Sequence, residues 1–313
     1  MNQVLRSFLG LGLATKGSYS LTDRLLGFLT LVPPIFLLLT PLNAASAAVL
    51  SIQGYPPWDK CVLGFVAVAF AGGGIVALNN YIDRDRDKAI WPERSIPSGR
   101  IKAGSALVSA ISLFICSLLF SWFFFNPVNF FILLLAIILG SLYSAYLRDR
   151  VGYLSLPPIV GLVYLGGWAA FSPETLFTSP LPWYLYFLGL VWQAAHIMVY
   201  YPLHITYGVN GKPVMKLPAF FFMPSLRFAV SIGLGFIILT LLLSSLLPLL
   251  APLSNLYLIL VLVTGIYALY NGIRFLKNAS NKEKGIKAFA SLTIFRLTIS
   301  VAILLDILIY YQI

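Results

Sequence analysis

The sequence predicts an all-α, polytopic membrane protein, and three observations carry that expectation. Of 313 residues, 59% are hydrophobic and only 10% are charged, whereas ordinary soluble domains carry about 25% charged residues. Apolar runs close to the roughly 20 residues that cross a bilayer recur along the chain, and the mean hydropathy is +0.90. The basic residues fall in alternate loops, as the positive-inside rule expects of cytoplasmic segments.

The elements follow in order. Residues 1–22 hold Val4, Leu5, Phe8, Leu9, Leu11 and Leu13 without a spanning run, which fits a short amphipathic interfacial segment ahead of a helical domain at 23–313. The apolar runs then place nine spans, at 25–49, 61–81, 104–125, 129–147, 154–171, 182–201, 219–247, 256–273 and 288–311. The first is a retained helix interrupted by Pro33, Pro34 and Pro41 rather than a cleaved leader.

With a cytoplasmic N-terminus, Arg6, Lys16 and Arg24 precede span 1, and Arg84, Arg86, Lys88, Arg94, Arg100 and Lys102 follow span 2. Arg148 and Arg150 follow span 4, Lys212, Lys216 and Arg227 follow span 6, and Arg274, Lys277, Lys282, Lys284 and Lys287 follow span 8. The opposite side keeps only Lys60, so the N-terminus and the basic loops are expected in the cytoplasm and the C-terminus outside, in a multi-pass protein of the cell membrane. This segregation accounts for the net charge of +11 without nucleic acid as a partner. The basic loops suit anionic lipid headgroups and anionic substrates instead. Cys61 and Cys116 lie in apolar spans without metal-ligand spacing and imply no disulfide framework. Arg296 and Asp306 are ionisable residues inside span 9, with Asp306 expected at the outer interface.

The chemistry concentrates at Asn79-Asn80-Tyr81-Ile82-Asp83-Arg84-Asp85-Arg86-Asp87, which places three of the chain's ten acids within five residues at the end of an apolar helix. At about 100° per residue, Asn79, Asp83 and Asp87 form one stripe (i, i+4, i+8), while Asp85 points about 200° away from Asp83. Two carboxylates and an amide on one face suit Mg²⁺, which is usually held by one or two carboxylates together with substrate phosphates. The turn-rich segment Trp91 to Ile101 sets Arg94 and Arg100 beside these acids, and guanidinium groups match phosphate oxygens that a metal leaves bare.

Asn79 to Asp87 resembles the first acidic motif, N-D-x-x-D-x-x-x-D, of the UbiA superfamily of intramembrane prenyltransferases, with Asn80 in place of its second residue. Arg94, Ile96, Pro97, Ser98, Gly99, Arg100 and Ile101 resemble that family's R-P-I-P-S-G-R-I segment, with Ser95 replacing the first proline. The resemblance implies nine helices bundled around a lipid-facing cavity, where Mg²⁺ on Asp83 and Asp87 grips a prenyl diphosphate, Asn79 supports the site and Arg94 meets diphosphate. Ionisation would then give an allylic cation for transfer to a hydrophobic acceptor. By the same resemblance the segment Tyr143-Ser144-Ala145-Tyr146-Leu147-Arg148 supplies Tyr143 and Arg148 to the substrate, and Asn80 also faces it.

The region after span 6 departs from the family, because no acid lies between Glu174 and Glu283 and the usual second motif, D-x-x-x-D, is missing. His196, Tyr200 and His204 stand there instead, followed by Lys212 and Lys216. The two histidines are candidates for acceptor binding, proton abstraction or metal ligation, or form a hydrogen-bonded pair at a helix end. The lysines are candidates for holding diphosphate in place of a second metal. Trp192-Gln193-x-x-His196 resembles the haem-farnesylating branch, whereas Trp91 to Ile101 looks more like branches that prenylate lipid or chlorin acceptors. Two alternatives to transfer stay open: a terpene cyclase of the same superfamily, which needs no acceptor, and a member that binds prenyl or lipid ligands without catalysis.

Overall fold

The computed structural model describes residues 18–206 and 225–311, and these form helices with no strand. The principal helices are α1 (Leu21–Leu31), α2 (Pro34–Ile52), α3 (Trp58–Ile90), α4 (Ala103–Phe124), α5 (Pro127–Leu142), α6 (Pro157–Ala169), α7 (Leu181–Thr206), α8 (Leu226–Leu246), α9 (Asn255–Leu276) and α10 (Lys282–Tyr311). Among the described residues, six stretches are long and apolar enough to cross a bilayer: Trp58–Lys88, Ala103–Phe124, Pro127–Arg150, Leu226–Leu249, Asn255–Leu276 and Lys282–Ile309. The other three expected spans differ for identifiable reasons. Leu37–Ile52 and Tyr153–Ala169 are apolar but shorter, and α7 carries Trp192, Gln193, His196 and several tyrosines that lower its hydropathy.

Local chemistry sets the first boundaries. The Ser20 hydroxyl accepts from the Asp23 amide, and the Asp23 carboxylate accepts from the Ser20 amide, a reciprocal cap that starts α1 two residues before the expected domain boundary at 22/23. Pro33 ends α1, since the residue before a proline is pushed out of the helical region, and Val32 has φ −127° and ψ 80°. Pro41 by contrast stays inside α2. The expected first span is therefore two helices, broken at Val32 and Pro33 but not at Pro41.

The chain forms two compact units, one of Met1–Pro41 with Asp59–Tyr146 and one of Leu42–Trp58 with Leu147–Ile313. In the first, Leu31, Ala77, Ile96, Ile101, Ala106 and Ala110 make a buried cluster from α1, α3, α4 and the loop between the last two. The Ser117 hydroxyl on α4 donates to the Ala67 carbonyl on α3 at 2.6 Å. That bond removes a polar hydrogen from the apolar interior while locking the two helices together.

In the second unit α7 packs against α6, α8 and α10, and α9 lies between α8 and α10. At Gly167 an added Cβ would stand 2.1 Å from the Ala44 carbonyl oxygen, so the α6 and α2 backbones touch there. Small residues of this kind permit close helix approach inside a bilayer. Asp306 is 1% exposed, and its carboxylate accepts from both the Ser254 amide and the Ser254 hydroxyl at the start of α9. It is buried as a cap on the first turn of α9 rather than left open to solvent.

Candidate active site

The acidic stripe stands in the last turns of α3. Asp83 and Asp87 are 5% and 2% exposed, and each is met by a guanidinium. Arg86 Nη2 lies 2.7 Å from Asp83 Oδ2, and Arg94 Nη1 lies 2.8 Å from Asp87 Oδ2. Asp85 is on a different face, where it pairs with Lys88 at 3.0 Å and is largely exposed, as its angular position on the helix requires.

Asn79 lies one turn deeper. Its Nδ2 donates to the Ser144 hydroxyl at 3.3 Å, which in turn donates to the Gly140 carbonyl. Tyr143 and Ser144 are buried at the start of a π-helical turn, Tyr143–Leu147, a loosening that recurs at functional sites because it re-aims side chains. Asn80 is engaged elsewhere, for its Nδ2 donates to the carbonyls of Leu31 and Val76 at 3.3 and 2.9 Å, tying α3 to the end of α1.

The Trp91–Ile101 loop divides its labour. Arg94 turns to Asp87, while the segment after it clamps the loop to α1. The Ser95 hydroxyl donates to the Gly27 carbonyl at 2.7 Å. Arg100 is 3% exposed, with its guanidinium 4.9 Å from the Tyr19 ring centroid. Its methylenes run over Gly27, where a Cβ would meet them at 2.7 Å. Gly99 has φ +77° and nothing crowds it, so it is glycine for its backbone conformation.

In the second unit, Arg148 is 3% exposed with its Nε 3.5 Å from Asp149. His196 is half-buried on α7 and stacks on Trp192, ring centroids 4.8 Å apart at 28°. Phe289 of α10 lies 4.3 Å from His196 and 5.2 Å from Tyr200. Lys212 and Lys216 lie outside the described residues, as does the side chain of His204.

Two carboxylates on one buried stripe fit a hard divalent cation, for Mg²⁺ needs only one or two protein carboxylates when phosphates and waters complete its shell. Among the described residues no group of three or more His, Cys, Asp or Glu is placed to hold a metal. All ten acids lie in that range, and none falls between Glu174 and Glu283. Sequence reasoning missed Arg86, which an i, i+3 pairing with Asp83 signals. It also missed the Asn79–Ser144 bond, which spans 65 positions and has no local signal.

Residues 10–297 match the profile of the UbiA prenyltransferase family. The chain belongs to that family. This UbiA member is 28% identical over 269 residues to the protoheme IX farnesyltransferase of Opitutus terrae, covering 80% of this chain and 85% of the relative. It shares the fold of a solved digeranylgeranylglyceryl phosphate synthase structure, with TM-score 0.67 and 22% identity over 91% of this chain and 99% of that one. A UbiA homologue from Archaeoglobus fulgidus, solved with geranyl diphosphate and Mg²⁺, superposes with TM-score 0.56 at 18% identity, covering 88% and 99% of the two chains.

Proposed function

We propose that this UbiA-family chain is an integral membrane prenyltransferase that takes an isoprenoid diphosphate with Mg²⁺ and moves its prenyl chain to a hydrophobic acceptor. The observation that carries the reading is the buried Asp83–Asp87 stripe, two carboxylates held in an apolar helix with a guanidinium on each. The related enzyme and the fold neighbour with geranyl diphosphate and Mg²⁺ support the same substrate class.

Asp83 and Asp87 would hold the metal, with Asn79 behind them. Bound Mg²⁺ supplies charge neutralisation to a departing diphosphate. Arg94 and Arg86 present planar forks that match phosphate oxygens, so each can exchange its carboxylate for the diphosphate. The carbon–oxygen bond of the donor breaks with its electron pair leaving on the diphosphate, the acceptor forms the new bond to the allylic carbon, and the acceptor gives up a proton. The surrounding apolar side chains keep water from the cationic fragment. Arg148, Tyr143, Lys212 and Lys216 are proposed as further diphosphate contacts, and His196, Tyr200 and His204 as acceptor contacts. Asn80 serves α3 packing in this reading. The fold is read as nine crossings, with the six long spans joined by α2, α6 and α7, and with the active-site loops cytoplasmic.

The test is pyrophosphate release by the purified protein with Mg²⁺, prenyl diphosphates of increasing length, and candidate acceptors, with products identified by mass spectrometry. Asp87→Asn and Asp83→Asn are each expected to lower turnover by at least about 100-fold, the scale of a lost electrostatic contact in catalysis, while the protein still elutes as a folded species. Full turnover in both variants overturns the metal assignment. A cyclic product from donor alone overturns transfer.

A further inference from the structure

The second unit contains a cation that the proposed chemistry does not use. Arg296 lies midway along α10 (Lys282–Tyr311), about 21 Å of helix from either end. An ionised side chain at that depth is costly and needs a counter-charge or a function. None of the chain's ten carboxylates, all within the described residues, pairs with it.

Its partners are neutral and they orient it. Arg296 Nε donates to Asn43 Oδ1 at 3.3 Å, and the same oxygen accepts from the Tyr164 and Ser300 hydroxyls, each at 2.9 Å. The guanidinium lies over Trp192, 4.3 Å from the ring centroid, and Trp192 is itself fixed by donating from its indole to the Leu292 carbonyl at 3.0 Å. An amide oxygen and an aromatic face hold a guanidinium in place but leave its net charge unmatched.

A second polar group nearby also lacks a partner. Gln193 is 7% exposed, and its amide makes no hydrogen bond among the described residues. The amide is not among the fully sealed polar atoms, so it stays open to water or to a ligand. From Val191 to Val199 every residue of α7 is buried except His196, three residues beyond Gln193 and hence on its side of the helix. Arg296, His196 and Tyr200 all remain partly open. The stack Arg296, Trp192, His196, Phe289 therefore runs as one continuous aromatic and cationic surface.

We propose that Arg296 and Gln193, with the Trp192–His196–Phe289 shelf, bind an acidic group of the acceptor, so that the acceptor is an apolar or aromatic molecule bearing a carboxylate or a phosphate. The proposal rests on the prenyl-transfer reading for the existence of an acceptor. Mid-helix depth selects a molecule that brings a single anionic group on an apolar body, and one guanidinium without metal is a poor match for a diphosphate.

Equilibrium binding is measured first, without donor, on the full chain in nanodiscs. The probes are protohaem IX against its dimethyl ester, read by the Soret band, and a prenylglyceryl phosphate against the matching uncharged prenylglycerol, read by tryptophan fluorescence. Wild type is expected to favour at least one acid over its neutral partner by about tenfold or more. Arg296→Met should bring the ratio near one, Arg296→Lys should keep part of it, and Gln193→Leu should reduce it. In transfer assays Arg296→Met raises KM for the acidic acceptor and leaves KM for the prenyl diphosphate unchanged. The proposal is overturned by a wild-type ratio near one in both pairs, by a ratio that survives Arg296→Met, or by a parallel rise in donor KM, which would assign the arginine to diphosphate. If Arg296→Met does not fold, Arg296→Lys and Gln193→Leu decide by the same ratio. Binding of the acid without any diphosphate release upholds the anion subsite and removes the transfer reading, so the two fail separately.

Discussion

In the proposed metal site Asp83 and Asp87 face a conflict, because a carboxylate that holds a metal must be buried with the substrate, yet a bare buried carboxylate destabilises the fold. Arg86 and Arg94 resolve it by standing in as counter-charges. Arg86→Met removes the cation 2.7 Å from an Asp83 side chain that is only 5% exposed. Losing one partner of a buried pair costs several kcal/mol, and the exposure of Arg86 itself discounts this to about 1–3 kcal/mol. The expected outcome is a fall of several degrees in the thermal unfolding midpoint in EDTA, most of it recovered when Mg²⁺ and geranyl diphosphate are added. An equal fall under both conditions would mean that no cation replaces the guanidinium. The acidic stripe was readable in the sequence because spacing alone sets angular position on a helix, which also separated Asp85 from the rest. Asn80 and Arg100 were less readable, since bonding to Leu31 and lying on Tyr19 are set by packing partners far along the chain.

Helices were the readable part of the architecture, and their ends less so. Apolar runs located α3 to α5 and α8 to α10, but the break at Val32 and the persistence of α2 through Pro41 depend on which carbonyl finds a substitute partner, and composition does not report that. Close crossings are equally hidden. Gly167 reads as one glycine among 24, yet it marks the point where α6 meets the α2 backbone at Ala44, next to the Asn43 that aligns Arg296. Gly167→Ala puts a methyl 2.1 Å from a backbone oxygen that has no rotamer to escape through. We expect a loss of about 1–3 kcal/mol, the usual cost of overpacking, together with weaker acidic-acceptor binding as Asn43 moves. Gly235→Ala in α8 is the control, because nothing lies within 4 Å of its added Cβ. There the better helix propensity of alanine should leave stability unchanged or slightly raised. Similar losses at both positions in a thermal or urea series would contradict the crossing argument.

Charge distribution along the whole chain favours the proposed nine crossings over six. With only the six long spans crossing, the basic loop around Arg94 and Arg100 would face the side opposite Arg24, and the two termini would share a side. Adding α2, α6 and α7 as crossings puts the loops bearing Arg94, Arg148, Lys212 and Lys284 on one side with Arg24, and leaves Lys60 almost alone on the other. Placing one polar, bent or short helix at depth is tolerated when it packs within protein, and α7 is buried along Val191–Val199 except at His196. The prediction is therefore a parity. With Cys61 and Cys116 replaced by alanine, Thr178→Cys in the α6–α7 connection should react with a membrane-impermeant maleimide in intact cells, whereas Glu93→Cys should react only after the membrane is opened. A cysteine added after Ile313 should behave like Thr178→Cys, since nine crossings put the C-terminus outside. Protection of that terminal cysteine together with protection at position 93 would mean an even number of crossings between Glu93 and the C-terminus, where the nine-crossing reading requires an odd one. It would overturn the nine crossings, whereas reaction at position 93 in intact cells would overturn the cytoplasmic placement of the active-site loop.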